Sequence, residues 1–379
     1  MIKYLGSKRA LVPVLGAIAS AVRDAVGATS ALDLFTGTTR VAQELKRRGL
    51  HVTAADTASY SRVLADCYIG TDGALVPQAE VRDALDRLNA LPGHRGYVTE
   101  VFCEKSRYFQ PKNGSRIDAV RDAIERDYAG SRLYPILLTA LMLAADRVDS
   151  TTGVQMAYLK QWAPRAYNDL ELRVPALLVG PGLAVLGEAA DVVDEVGDVD
   201  FAYLDPPYNQ HSYRANYHVW ETLIRWDDPP HYGVACKRAD IRDPGAKSPF
   251  NRRRDMPSAL RQIIERVRAR TLVVSYNDES WVDPDDILRW LSAGAREVVR
   301  VLAFDSKRYV GAQIGIHDPS GRKVGQVSHV RNIEYLFIAG PADAVAAAGN
   351  AVPAPAGGQA LPRHSGSPAL TKTGRAGRW

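Results

Sequence analysis

Cysteine is scarce: Cys67, Cys103 and Cys236 are the only three in a chain of 379 residues. They are too widely spaced to read as a disulfide framework or a zinc-ligand set, so a reducing cytoplasm is the expected setting. An apolar leader is missing as well. Met1-Ile2-Lys3-Tyr4 carries no hydrophobic core of a secretory signal, and secretion is not expected. The longest apolar run, Tyr134 to Ala145, stops at Asp146-Arg147. It is too short to span a bilayer and reads as a buried helix, so no membrane partner is expected. Neither sign of charge dominates. Lys and Arg total 48 against 43 Asp and Glu, leaving +5, a mild bias toward polyanionic partners that decides little alone. With 46% hydrophobic and 24% charged residues, the composition fits a soluble protein of one large or two modest domains.

Glycine is thin where a nucleotide-binding fold concentrates it. Ala31 to Phe35 reads as a strand, Thr36-Gly37-Thr38-Thr39 as a turn, and Arg40 to Arg48 as a helix ended by Gly49. Val41 and Leu45 fall on one face of that helix. Gly37 stands alone where two or three glycines are usual. A second strand, His51 to Ala55, ends in Asp56. That acid lies about twenty residues after the turn, where a nucleotide fold places its ribose-binding carboxylate. A helix N-cap or turn aspartate is the bland alternative.

Asp205-Pro206-Pro207-Tyr208 follows Phe201-Ala202-Tyr203-Leu204, a short buried strand. Ligands of open α/β sheets bind at carboxyl ends of strands. There a ring can stack on a flat heterocycle while a carboxylate and a carbonyl accept hydrogen bonds from its amino group. An ordinary turn is the alternative. The second Asp-Pro-Pro, Asp228-Pro229-Pro230, follows a helix rather than a strand and reads as a turn.

Between about residues 62 and 183 the strand–helix rhythm breaks. Helices are expected at Glu80 to Asn89, Ile117 to Tyr128 and Tyr134 to Val148. Leu183 to Leu204 resumes as strand, acidic loop (Gly187 to Asp191) and strand. Later come a helix through Asn216 to Arg225, a strand Leu272 to Tyr276, and a closing pair, Val298 to Ala303 with Ile333 to Ile338. The tail from 341 to 379 is rich in Ala, Pro, Gly and basic residues and reads as disordered.

Lys3-Tyr4-Leu5-Gly6-Ser7-Lys8-Arg9, Asp33-Leu34-Phe35-Thr36-Gly37, Asp56 and Asp205 to Tyr208 occur in one order. That order resembles the Dam-like alpha class of S-adenosylmethionine-dependent DNA adenine methyltransferases. Asn209-Gln210-His211-Ser212-Tyr213, running into Asn216-Tyr217-His218, is most similar to modification methylases of type IIS restriction systems. Thr39 stands where this family usually has a second glycine.

The resemblance implies an α/β fold: a Rossmann-like methyltransferase sheet formed by 1–61 and 184–340, with 62–183 an inserted, mostly helical target-recognition domain. It implies S-adenosylmethionine as cofactor. Tyr4, Lys8, Phe35, Gly37, Thr38, Asp56, Asp191 and Asp205 would line its site, Asp56 on the ribose and Asp191 near the adenine. Asp205, Pro206 and Tyr208 would be catalytic, and no metal is implied. Double-stranded DNA is the implied partner, with a cognate restriction endonuclease possible. Phosphate contacts are expected from Arg107, Lys112 and Arg116 around Tyr108-Phe109, from Lys237-Arg238, and from Lys247 with Arg252 to Arg254. Thr151 to Lys160 is able to read base edges. Competing readings are an RNA base methylase, a cytosine-amino methylase, and a non-catalytic nucleic-acid-binding module on a decayed methylase fold.

Overall fold

Alternating side chains divide one sheet between two cores. The computed structural model describes residues 2–6, 8–207, 212–243, 247–278, 280–294, 296–307 and 331–352. Its strands are β1 (Ser30–Asp33), β2 (His51–Asp56), β3 (Gly182–Leu186), β4 (Val199–Leu204), β5 (His231–Tyr232), β6 (Lys237–Arg238), β7 (Ala269–Asn277), β8 (Val298–Lys307) and β9 (Arg331–Gly340). β5 and β6 form a small antiparallel ribbon; the other seven form one sheet in the order β3-β2-β1-β4-β7-β9-β8. The first five strands of that order are parallel, with Ala31 level with Val52 on one side and Phe201 on the other. β9 runs antiparallel between β7 and β8, pairing Phe337 with Val274 and Val301.

Successive residues of a strand face opposite sides. Phe201 and Tyr203 of β4 join one core, Ala202 and Leu204 the other. Leu336 and Ile338 of β9 likewise face the first core, Phe337 and Ala339 the second. Two-sided burial explains why β4 reads as a continuous apolar run rather than an alternation.

The first core is covered by α1 (Val12–Val26), α2 (Arg40–Arg47) and α3 (Ser59–Ala65), and by α4 (Gln78–Asn89), α5 (Pro111–Tyr128) and α6 (Tyr134–Val148). The second is covered by α7 (Ala189–Glu195), followed after α8 (Tyr213–Asn216) and α9 (His218–Arg225) by α10 (Met256–Arg266) and α11 (Pro284–Ala293). The helices expected within 62–183 are present. Leu85, Ile117 and Leu137 from them share one apolar cluster with Val52 and Phe201 of the sheet.

Two expectations need correction. The acidic stretch after β3 is not a loop throughout. Val192 and Val193 are buried, and Glu188 accepts the Asp191 and Val192 amides, so α7 starts there. The expected break at 341 also comes too early. Ala342–Asn350 is a helix, α12, opened by Pro341, and it packs Ala344, Val345 and Ala348 into the first core. Small side chains let it lie close, which an eye searching for large apolar residues overlooks. Residues 353–379 lie outside the described residues.

Candidate active site

β1 and β4 are neighbours, yet the chain continues from β1 to β2 toward one edge of the sheet and from β4 to β7 toward the other. That reversal is the topological switch point at which open α/β sheets bind ligands. The carboxyl ends of β1, β2 and β4 meet there and carry the Gly37 turn, Asp56 and Asp205.

The turn after β1 is built by backbone donors. Thr36 donates its amide to Ala55 O at 3.0 Å. Gly37 donates to Asp56 Oδ2 at 2.9 Å, and Ala58 to Asp56 Oδ1 at 3.1 Å. Burial raises the Asp56 pKa while these amides oppose the shift. Gly37 has φ +50°, and a Cβ there would stand 3.1 Å from the Tyr4 ring. Glycine therefore answers both a backbone and a space requirement. Thr38 is buried beside it.

Thr39 takes the left-handed conformation at φ 62°, as the glycine it replaces would. For a β-branched residue that costs about 1–2 kcal/mol. Its hydroxyl offsets part of this, donating to Thr38 O at 2.6 Å and accepting from Gln43 Nε2 at 2.9 Å.

Asp33, seen in the sequence only as part of a motif, proves central. Its Oδ2 accepts from Thr36 Oγ1 at 2.9 Å and from the Ala42 amide at 3.0 Å. Oδ1 is buried with no hydrogen-bond partner among the described residues. Burial pushes its pKa up to about 7; Thr36 and Ala42 oppose the shift, and the charges of Asp205 and Asp56 add to it.

Asp205 stands at the end of β4 with Lys8 Nζ 3.1 Å from its Oδ1. The same ammonium contacts Glu334 Oε1, and Ser275 donates to that oxygen at 3.0 Å. Burial pushes the Asp205 pKa to about 6, with Lys8 opposing and Glu334 adding to the shift. Pro206 is buried and Pro207 half-buried. Tyr208 lies outside the described residues. Glu334 escaped the sequence reading, although a lone acid between Ile333 and Tyr335-Leu336 in an apolar strand is a signal for it.

Tyr4 reaches the site by its edge. Tyr217 stacks on its ring at 4.6 Å and Tyr213 at 5.2 Å. Its hydroxyl lies 3.3 Å from that of Tyr60. Phe35 packs edge-on against Phe250 at 5.0 Å. Asp191 is exposed in the first turn of α7. Glu188, just before that helix, has its pKa raised by partial burial, by Asp191 and by Asp56.

Several residues expected to meet DNA are engaged within the protein instead. Tyr108 and Phe109 are core side chains, and Tyr108 donates to Gln155 O at 2.7 Å. Buried Gln155 accepts the Val219 amide through its side chain at 3.0 Å, so it is not free to read a base. Arg238 is buried in a bidentate pair with Asp227, at 2.7 and 2.8 Å. Lys112 pairs with Asp169 at 2.6 Å, and Arg116 donates to Asn89 O at 2.7 Å. Lys160, Lys247, Arg253 and Arg254 are exposed.

Asp205-Pro206, just past β4, thus stands beside the Gly37 turn and a second strand-end acid, Asp56. Residues 4–265 match the D12 class N6 adenine-specific DNA methyltransferase model, and the chain belongs to that family. It is similar to the type II methyltransferase M.NlaIII of Neisseria lactamica, 32% identical over 256 residues, covering 65% of this chain and 74% of that protein. M.CviAII of Paramecium bursaria Chlorella virus 1 is 30% identical over 286 residues, 72% of this chain and 82% of that one. M.FokI of Planomicrobium okeanokoites is 28% identical over 298 residues, 73% of this chain but 45% of that protein. The match therefore spans less than half of M.FokI.

Proposed function

We propose that the chain methylates the exocyclic amino group of adenine at a specific sequence in double-stranded DNA, as the modification partner of a type II restriction system. The observation that carries this reading is Asp205-Pro206 at the end of β4, across the switch point from Gly37 and Asp56. S-adenosylmethionine, when bound, supplies the methyl group as a sulfonium. The residues fit it. Asp56 holds the Gly37 and Ala58 amides on separate oxygens, with Thr57 and Ser61 also against it, and the two ribose hydroxyls are assigned to this same carboxylate. Gly37 lets the turn lie against the Tyr4 ring, where a Cβ would press at 3.1 Å. Tyr4, Lys8, Phe35, Thr38, Asp191 and Asp205 are assigned to the same cofactor site.

Adenine's amino nitrogen is a poor nucleophile because its lone pair is delocalised into the ring. The Asp205 carboxylate and the Pro206 carbonyl accept hydrogen bonds from its two N–H groups, which favours a pyramidal nitrogen with a localised lone pair. Positioning supplies much of the rate. A base inside a duplex cannot reach this crevice, so it is flipped out, and Tyr208 is assigned the stacking surface that receives it.

Residues 62–183 are assigned target recognition, 1–61 and 184–340 catalysis. A cognate endonuclease and a cytoplasmic location accompany this reading. Among the described residues no helix is long and apolar enough to cross a membrane. Long-read modification mapping of DNA from cells expressing the chain tests the proposal. N6-methyladenine at one recurring sequence is expected; unmodified DNA from cells holding folded protein would overturn it.

A further inference from the structure

We propose that Glu334 is a positioning residue for methyl transfer, holding Lys8 so that the Asp205 carboxylate keeps lone pairs free for the target amine. The inference rests on the methyltransferase reading above and adds a residue to it.

Lys8, Asp205 and Glu334 have side chains 8%, 18% and 10% exposed, so solvent screens the trio only weakly. One ammonium thus serves two carboxylates, and the trio keeps one net negative charge. Glu334 sits on β9, level with Asn277 of β7 and Phe304 of β8, and is flanked by strands on both sides. Ser275, also on β7, fixes the Glu334 oxygen that Lys8 contacts. Asp205 lies one residue past the end of β4, outside the ladder of hydrogen bonds. The rigid member of the trio is therefore Glu334, and it sets where the ammonium lies.

Without the Glu334 charge, Lys8 has Asp205 as its carboxylate partner in the trio. A tight pair in a dry site would occupy the oxygens that must accept the adenine N–H groups. Burial, then Lys8 and Glu334 in opposite senses, govern the Asp205 carboxyl, which titrates at about 6. Tyr203, from β4 itself, and Asp33, at the end of β1, also face it. Removing the Glu334 charge takes away one group that raises the Asp205 carboxyl, so Asp205 ionises at lower pH even as it becomes a poorer acceptor. A slower enzyme whose acid limb moves to lower pH is the signature, and a merely structural role does not produce it.

The test is single-turnover transfer of labelled methyl groups from S-adenosylmethionine to mixed-sequence genomic duplex fragments, from pH 5 to 9. Glu334→Gln is expected to slow transfer by roughly 10- to 100-fold, the scale set by misplacing a reacting group by about an ångström. Its acid limb should move to lower pH, with cofactor affinity by calorimetry near that of wild type. In a Lys8→Met background the same substitution should add little, because both act through one contact. If Glu334→Gln fails to fold, Glu334→Asp keeps the charge but draws it back by one methylene. Slower transfer with an acid limb near the wild-type position is then expected. A wild-type rate in either variant, an unmoved acid limb in Glu334→Gln, or full additivity with Lys8→Met would overturn the proposal. Wild-type protein that binds the cofactor but methylates no DNA would instead overturn the parent reading.

Discussion

Gly37 donates its backbone N–H to the carboxylate of Asp56 at 2.9 Å, 19 residues further along the chain. The turn after β1 and the acid after β2 are thereby one unit, and neither can shift without the other. Asp56→Ala removes the proposed cofactor contact and also the acceptor that holds the turn. S-adenosylmethionine binding is expected to weaken by about 1–3 kcal/mol, the range for losing a charged hydrogen-bond partner. Calorimetry showing unchanged affinity in the folded variant would remove Asp56 from the site.

Thr39 holds a left-handed conformation that glycine adopts freely. Thr39→Gly relieves about 1–2 kcal/mol of backbone strain, less what is lost with the Gln43 hydrogen bond and to the greater freedom of the unfolded chain. A small net stabilisation is expected. Thr39→Val keeps the branched carbon and loses both hydroxyl bonds, so it should destabilise. Urea midpoints in the opposite order would show that the turn is not strained at this position.

Asp33 links stability to pH. Its carboxyl is raised from 3.8 to about 7 in the fold, so the protonated form is the one the fold prefers. The stability this contributes is full below the unfolded value and is lost as pH rises through about 7. Asp33→Asn can accept the same Thr36 and Ala42 bonds without carrying a charge. Above pH 8 it is expected to be more stable than wild type by roughly 2–4 kcal/mol, with the advantage vanishing near pH 4. Parallel melting curves for the two proteins across that range would contradict the assignment.

Asp205→Ala is expected to abolish methyl transfer and leave the fold intact, because Lys8 retains Glu334 as a partner. Placing the adenine opposite a mismatch lowers the cost of extrusion. It should not restore activity here, since the defect lies in holding the amine. Transfer at the wild-type rate would end the mechanism argued for this carboxylate.

What could be read in advance follows from how local each determinant is. β4 and the acid after it were legible because Phe201 to Leu204 is a short buried run with a stiff Pro-Pro beyond it. Asp56 was legible from its spacing to Gly37. Glu334 was not, because its partner lies 326 residues away and nothing local marks their meeting. The basic segments misled for a related reason. Arg238 has Asp240 two residues on and Asp227 eleven back, both now bonded to it, so its charge is consumed internally. Tyr108-Phe109 looked like a stacking pair, but hydrophobic burial drew it inside. Aromatic residues beside arginines carry both meanings, and only tertiary packing separates them. α12 was missed because alanines signal close helix packing only once α1 is there to receive them.

The pairing of Lys8 with Glu334 also has a consequence for synthesis. Lys8 leaves the ribosome 326 positions ahead of its partner. At roughly 5–20 residues per second, the two are separated by roughly 15 to 65 seconds of translation. Throughout that interval the nascent chain holds its glycine turn, and later Asp205, without the strand that carries Glu334. A chain cut short before β9 would keep most of the elements assigned to the cofactor, yet lack Glu334. On the reading proposed for Glu334, modification activity therefore waits on synthesis of β9, and fragments lacking it are expected to be poor methylases.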